Sequence, residues 1–225
     1  MTTHLPAAHP PAAPTPAVPP PAASARAGLL DMLPFAPGVG VLGVVFGAGA
    51  LDHGIDRAFV LAMSLFVYSG SAQFAALTVW DQGAPIVILT VLALSLRFTL
   101  LLATIATWLG PAASRAERWR RAALAYLITD ENFAAAAARP REQRTAAYLA
   151  ASGAALTVAW IGGTLIGVAA GTSGALDAWA DLTGPLFALV FLALTVLTCT
   201  TLPKALVAVI AAILGVVGVL LLPPG

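Results

Sequence analysis

No residue from Ala58 to Trp80 carries a charged side chain, and this is one of six runs in the chain that are apolar enough to cross a bilayer. A hydrocarbon core of roughly 30 Å takes about 20 apolar residues at 1.5 Å per residue, fewer where flanking groups reach outward. The six runs are Phe35–Leu51, Ala58–Trp80, Ala84–Leu109, Ala146–Gly171, Pro185–Leu202 and Ala205–Leu222. Composition agrees, with 9% charged and 60% hydrophobic residues where a soluble domain has about 25% charged. The expected fold class is all-α, a polytopic membrane helix bundle of about seven segments.

The seventh segment, Ala122–Ala138, is shorter and is interrupted by "TDENF" at 129 to 133. Arg115, Arg118, Arg120 and Arg121 precede it, and Arg139, Arg141 and Arg144 follow it. Short basic loops belong on the cytoplasmic side. If the segment crosses, one basic loop lies outside; if it is re-entrant, both share a side. Residues 35 to 109 and 146 to 222 each read as three spans, the arithmetic of two three-helix repeats around a short broken or re-entrant segment. Both halves open on glycine-spaced helices, "GVGVLGVVFGAG" and "GGTLIGVAAG", although small residues suit any close helix crossing.

Residues 1–28 are rich in Pro and Ala, lack a basic start and a continuous apolar stretch, and are expected to form a disordered tail ahead of a permease domain at 29–225. A net charge of +1 and scattered arginines argue against a nucleic-acid partner. The single cysteine, Cys199, excludes a disulfide framework. With no HExxH, GxSxG or Walker sequence and no clustered His and Cys, the chain is expected to be no enzyme and to hold neither metal nor cofactor.

Polar side chains at membrane depth are expensive, so the few present are candidates for function. Arg97 lies midway along Ala84–Leu109; it either pairs with helix-end carbonyls or offers its two-pronged guanidinium to a carboxylate. Thr129, Asp130, Glu131 and Asn132 cannot converge from an intact helix, where neighbours point about 100° apart. They form either a solvated cap or a broken helix with proton-carrying acids. In "YSGSAQF", an unbroken helix would set Ser69, Gln73 and Ser71 at roughly 100°, 140° and 300° from Tyr68. Unwinding at residues 69 to 71 would let Tyr68, Ser69, Gly70, Ser71 and Gln73 converge on a cavity, with Gln73 facing the path. The other reading is a tight helix crossing with Gln73 as interhelical glue.

The blocks "FAPGVGVLGVVFGAGAL", "FVYSGSAQFAAL", "LALSLRFTLLLATI" and "AYLITDENFAAA", in that order and spacing, resemble the AzlC family, the large subunits of two-component branched-chain amino acid exporters. Around Arg97 the chain departs from the family pattern, with Ser95, Phe98 and Leu101 where acidic or amide, histidine and tyrosine residues are usual. The resemblance implies a secondary transporter of the bacterial cytoplasmic membrane, coupled to protons, acting with a small AzlD-like membrane subunit and exporting branched-chain or other apolar amino acids. It implies a substrate carboxylate at Arg97 or at the backbone of residues 69 to 71, an apolar wall from Phe46 and Phe74, and proton exchange at Asp130 or Glu131, beside Asn132. A membrane scaffold that transports nothing and a channel for small solutes or ions are the alternative classes.

Overall fold

The computed structural model describes residues 24–171 and 201–221, with positions 192, 196 and 199 between them. Among these residues all regular structure is helical: α1 (Ala25–Met32), α2 (Ala36–Asp52), α3 (Arg57–Phe66), α4 (Gly70–Thr78), α5 (Ala84–Leu109), α6 (Arg115–Tyr126), α7 (Asp130–Ala138), α8 (Ala146–Ala170) and α9 (Leu202–Leu221). Most of the expected span Pro185–Leu202 and the first 23 residues of the expected tail lie outside the described residues. Helix begins four residues before that tail was expected to end: Ser24 caps the Ala27 N–H, and Gly28 sits tightly against Tyr148 and Ser152 of α8.

Among the described residues, only α5 and α8 are single helices long and apolar enough to cross a membrane, and α1 with α2 makes a third such element bent by 62°. The α2–α8 pair is the spine of the molecule. Gly40 lies beside Ala159, Gly43 beside Trp160 and Thr164, and Gly47 beside Thr164 and Val168, so the two helices ascend together and run parallel. A Cβ built on Gly43 or Gly47 would come within 2.5 Å of the Trp160 or Thr164 carbonyl oxygen. Glycine is there for backbone contact, the usual use of small residues between apolar helices.

Ala205–Leu222 falls on the continuous helix α9, and the remaining two expected segments are not continuous helices. Ala58–Trp80 is broken between α3 and α4, and Ala122–Ala138 between α6 and α7. At both places the chain doubles back. Gln73 of α4 bonds Ser64 of α3 across the first break, and farther from it Phe59 and Trp80 pack with ring centroids 5.9 Å apart. Partners that stay paired while moving away from the break on both sides define a hairpin. The second hairpin has both its ends beside the C-terminus of α5. Arg121 donates to the Leu109 and Gly110 carbonyls, Arg141 to that of Thr107, and the Arg144 guanidinium lies 4.8 Å from the Trp108 ring centroid. The cations thus meet the negative end of the helix dipole of α5.

The hairpins enter from opposite ends. The first is rooted between the end of α2 and the start of α5, the second between the end of α5 and the start of α8. Asp31, just before α2, accepts from Arg139 at 2.8 Å and from the Tyr148 hydroxyl at 2.6 Å, which ties the second root to the beginnings of α2 and α8. Thus α5 runs opposite to α2 and α8. The expected second three-helix repeat, 146 to 222, lies partly outside the described residues; among those described, α2 and α5 are each followed by a hairpin, and the two hairpins enter from opposite ends. A run of apolar residues does not distinguish a crossing from a return, because both must bury the same surface.

Candidate functional site

The tips of the two hairpins meet near the middle of α5. The Tyr126 hydroxyl donates to Leu65 O at 2.7 Å, and the rings of Tyr68 and Tyr126 stack with centroids 5.2 Å apart. Beside them opens a cleft of about 60 Å³ lined by Tyr68, Ser69, Gly70, Ser71, Arg97, Thr129, Asp130 and Glu131, with Val39, Leu42, Phe98, Leu156 and Trp160 as its apolar side.

Tyr68 makes the first turn possible. It ends α3 with φ +39°, the one non-glycine residue with positive φ among those described, a conformation that costs an L-residue roughly 1–2 kcal/mol. Such strain persists where the surroundings hold it. Here the side chain is buried, stacked on Tyr126, and its hydroxyl shares a hydrogen bond with Thr157 Oγ1 at 2.7 Å. The break covers Val67 to Ser69, so Gly70 and Ser71 already belong to α4 and the expected unwinding at 69 to 71 is displaced by two residues. No side chain caps the N-terminus of α4, which faces the cleft with the positive end of its dipole.

Arg97 joins the two tips. Its Nη2 donates to Ser71 Oγ at 2.8 Å, lies 3.4 Å from Ser69 Oγ, and forms an ion pair with Asp130 Oδ2 at 2.9 Å. Its Nε is buried and has no hydrogen-bond partner among the described residues, and the same is true of Trp160 Nε1. The Arg97 and Asp130 side chains are 33% and 24% exposed, open enough for a small solute to reach them. Arg97 is the cleft's one cation among the described residues.

Asp130 and Glu131 form the first turn of α7, where negative charge complements the dipole. Asn132 is turned the other way. Its side chain accepts from Thr129 N–H, donates to Leu127 O at 2.9 Å and Leu149 O at 3.3 Å, and is fully buried. With Thr129 Oγ1 accepting from the Asn132 N–H, this is a reciprocal capping box. Asn132 therefore braces the tip and does not line the cleft.

Gln73 and Phe74 also lie elsewhere. Gln73 is fully buried in the hairpin and begins a chain of donors running from its amide to Ser64, from Ser64 to Thr164, and from Thr164 to the Trp160 carbonyl. It ties α4 to α3 and α8 and does not face the cleft. Phe74 meets Phe46 edge-on at 5.8 Å and Trp160 at 6.4 Å, and Phe46 is fully buried. The apolar wall expected from these two phenylalanines is built instead from Val39, Leu42, Phe98, Leu156 and Trp160. These five carry no polar signature in the sequence, and only the packing of α2 and α8 against the tips brings them in. Among the described residues no three metal-ligating side chains come together.

A bundle of apolar helices with a cation, two acids and an uncapped helix end around a central cleft defines a helical membrane protein with a polar centre. A family model described as AzlC protein matches residues 34–173, more than half of the chain, and the chain belongs to the AzlC family, a transport-related membrane family. An uncharacterized membrane protein of Helicobacter pylori is 31% identical over 96 residues, 42% of this chain and 40% of that protein. An uncharacterized membrane protein of Archaeoglobus fulgidus is 28% identical over 155 residues, 69% of this chain and 66% of its own length. The matched stretches thus span less than two thirds of each relative. No solved structure matches the chain.

Proposed function

We propose that this chain is the large subunit of a secondary transporter that exports branched-chain or other apolar amino acids across the bacterial cytoplasmic membrane. The observation that carries this reading is Arg97, the cation of a half-open central cleft, set between the uncapped N-terminus of α4 and the acids of α7. A zwitterionic substrate fits that set: its carboxylate meets Arg97 and the free N–H groups of Gly70 and Ser71, and its aliphatic side chain lies against Val39, Leu42, Leu156 and Trp160. Asp130 or Glu131 exchanges protons. A small AzlD-like membrane subunit completes the transporter, and no cofactor is needed.

In the bilayer, the two hairpins dip in from opposite faces. Arms of 9 to 12 residues reach about 13–18 Å, roughly half the hydrocarbon core. Their tips therefore meet near the midplane, where broken helices supply binding groups in transporters. Both basic clusters then lie on one side, which the charge bias of short loops makes cytoplasmic.

Intracellular leucine accumulation during dipeptide feeding tests the reading. Cells carrying the chain and its partner subunit keep the level low, and Arg97→Ala raises it to that of cells lacking both while the protein still reaches the membrane. Unchanged efflux in Arg97→Ala removes the site assignment, and equal accumulation with and without the wild-type pair removes the function.

A further inference from the structure

Asp130 stands beside Arg97 where a substrate carboxylate would stand. Asp130 Oδ2 is ion-paired with Arg97 Nη2 at 2.9 Å, and the same nitrogen donates to Ser71 Oγ at 2.8 Å and to Ser69 Oγ at 3.4 Å. One guanidinium nitrogen carries two hydrogens, and the two serines use both of those on Nη2, while the adjacent Nε hydrogen has no acceptor among the described residues. A carboxylate that takes the two-pronged position across Nε and Nη2, the strongest geometry an arginine offers, meets Asp130 already on half of it.

We propose, on the basis of the transporter reading above, that substrate carboxylate and Asp130 compete for Arg97, and that the displaced Asp130 takes up a proton, so that amino acid and proton move together in the same direction. Displacement leaves the Asp130 carboxylate beside Glu131 in the first turn of its own helix, with the cleft's arginine engaged by the substrate carboxylate instead. A carboxylate enclosed in that company is more stable with a proton. The balance closes. The empty site holds Arg⁺ paired with Asp⁻; the loaded site holds Arg⁺ paired with the substrate carboxylate, Asp130 as the neutral acid, and the substrate ammonium for Glu131 to receive. One proton is bound per amino acid, and it comes from the side the substrate came from. Export is thus driven by the outward amino acid gradient, and an inward proton gradient opposes it.

Proteoliposomes containing the full chain and its partner subunit, loaded with leucine and a pH-sensitive dye and clamped at zero potential with potassium and valinomycin, give the sign. Leucine leaving down its gradient is expected to make the lumen more alkaline. Acidification of the lumen, or leucine flux with no pH change, overturns the competition, whereas absence of any leucine flux overturns the transporter reading on which it rests. Leucine binding to the purified complex provides the second arm. Its Kd is expected to rise with pH towards ~tenfold per unit in the wild type, the slope of one linked proton. In Asp130→Asn it is tight and independent of pH, and Glu131→Gln keeps the slope. A slope that survives in Asp130→Asn, or loss of leucine binding in that variant, also overturns the proposal.

Discussion

The two hairpin tips have the same construction and are finished in opposite ways. In each, a helix of ten or twelve residues ends, three residues turn the chain, and a helix of nine residues starts back. The tip at 127–129 is closed on itself: Thr129 and Asn132 cap each other, and Asp130 and Glu131 supply local negative charge. The tip at 67–69 is left open. Ser69 caps nothing and lies near Arg97, and strain sits on Tyr68. A helix end satisfied by its own side chains is a brace; one left unsatisfied beside a cation is free to meet an anion from outside. On the proposed reading, the open tip is the substrate side of the cleft and the closed tip its frame.

That division can be broken by substitution. Asn132→Ala should have the largest effect, because it leaves the Leu127 and Leu149 carbonyls and the Thr129 N–H without their buried partner. About 3 kcal/mol should be lost, read as a lower melting temperature of the detergent-solubilised protein. Gly153→Ala comes next at about 2 kcal/mol, since a Cβ there would meet the Asn132 amide at 2.8 Å and also crowd Leu127 O. Thr129→Ala removes half of the capping box for about 1 kcal/mol. Tyr126→Phe deletes the bond to Leu65 O that joins tip to tip; about 0.5–1 kcal/mol is expected. Ser69→Ala should be smallest, within about 0.5 kcal/mol in stability because no cap is lost, yet it should weaken leucine binding where Thr129→Ala does not. If Ser69→Ala melts as early as Thr129→Ala, the two tips are not different in kind.

Much of this arrangement is legible in the sequence at the level of segments. The apolar runs around 35–51, 84–109 and 146–171 reappear as α2, α5 and α8, and polar residues at membrane depth mark both breaks within two residues. Arg97, Asp130, Glu131 and the backbone of 69 to 71 share one cleft. Gln73 and Asn132 look like the same kind of residue as Ser71 and Asp130, being polar groups next to a break, but they face the packed side. On a helix each residue turns about 100° from the last, so a two-residue shift in where α4 begins reverses which of its side chains meets the cleft.

Sequence alone determined that the chain is a helical membrane protein of the AzlC family, that two of its segments carry polar residues at depth, and that Arg97 has to find partners there. Tertiary structure decided that the interrupted helices return instead of crossing, that they come from opposite ends, and that Asp130 is the group Arg97 finds. Hydropathy reports how much apolar surface a segment must bury, and burial is indifferent to chain direction. Direction is settled only by contacts between residues far apart in the chain, such as Ser64 with Thr164, Arg97 with Asp130 and Asp31 with Arg139.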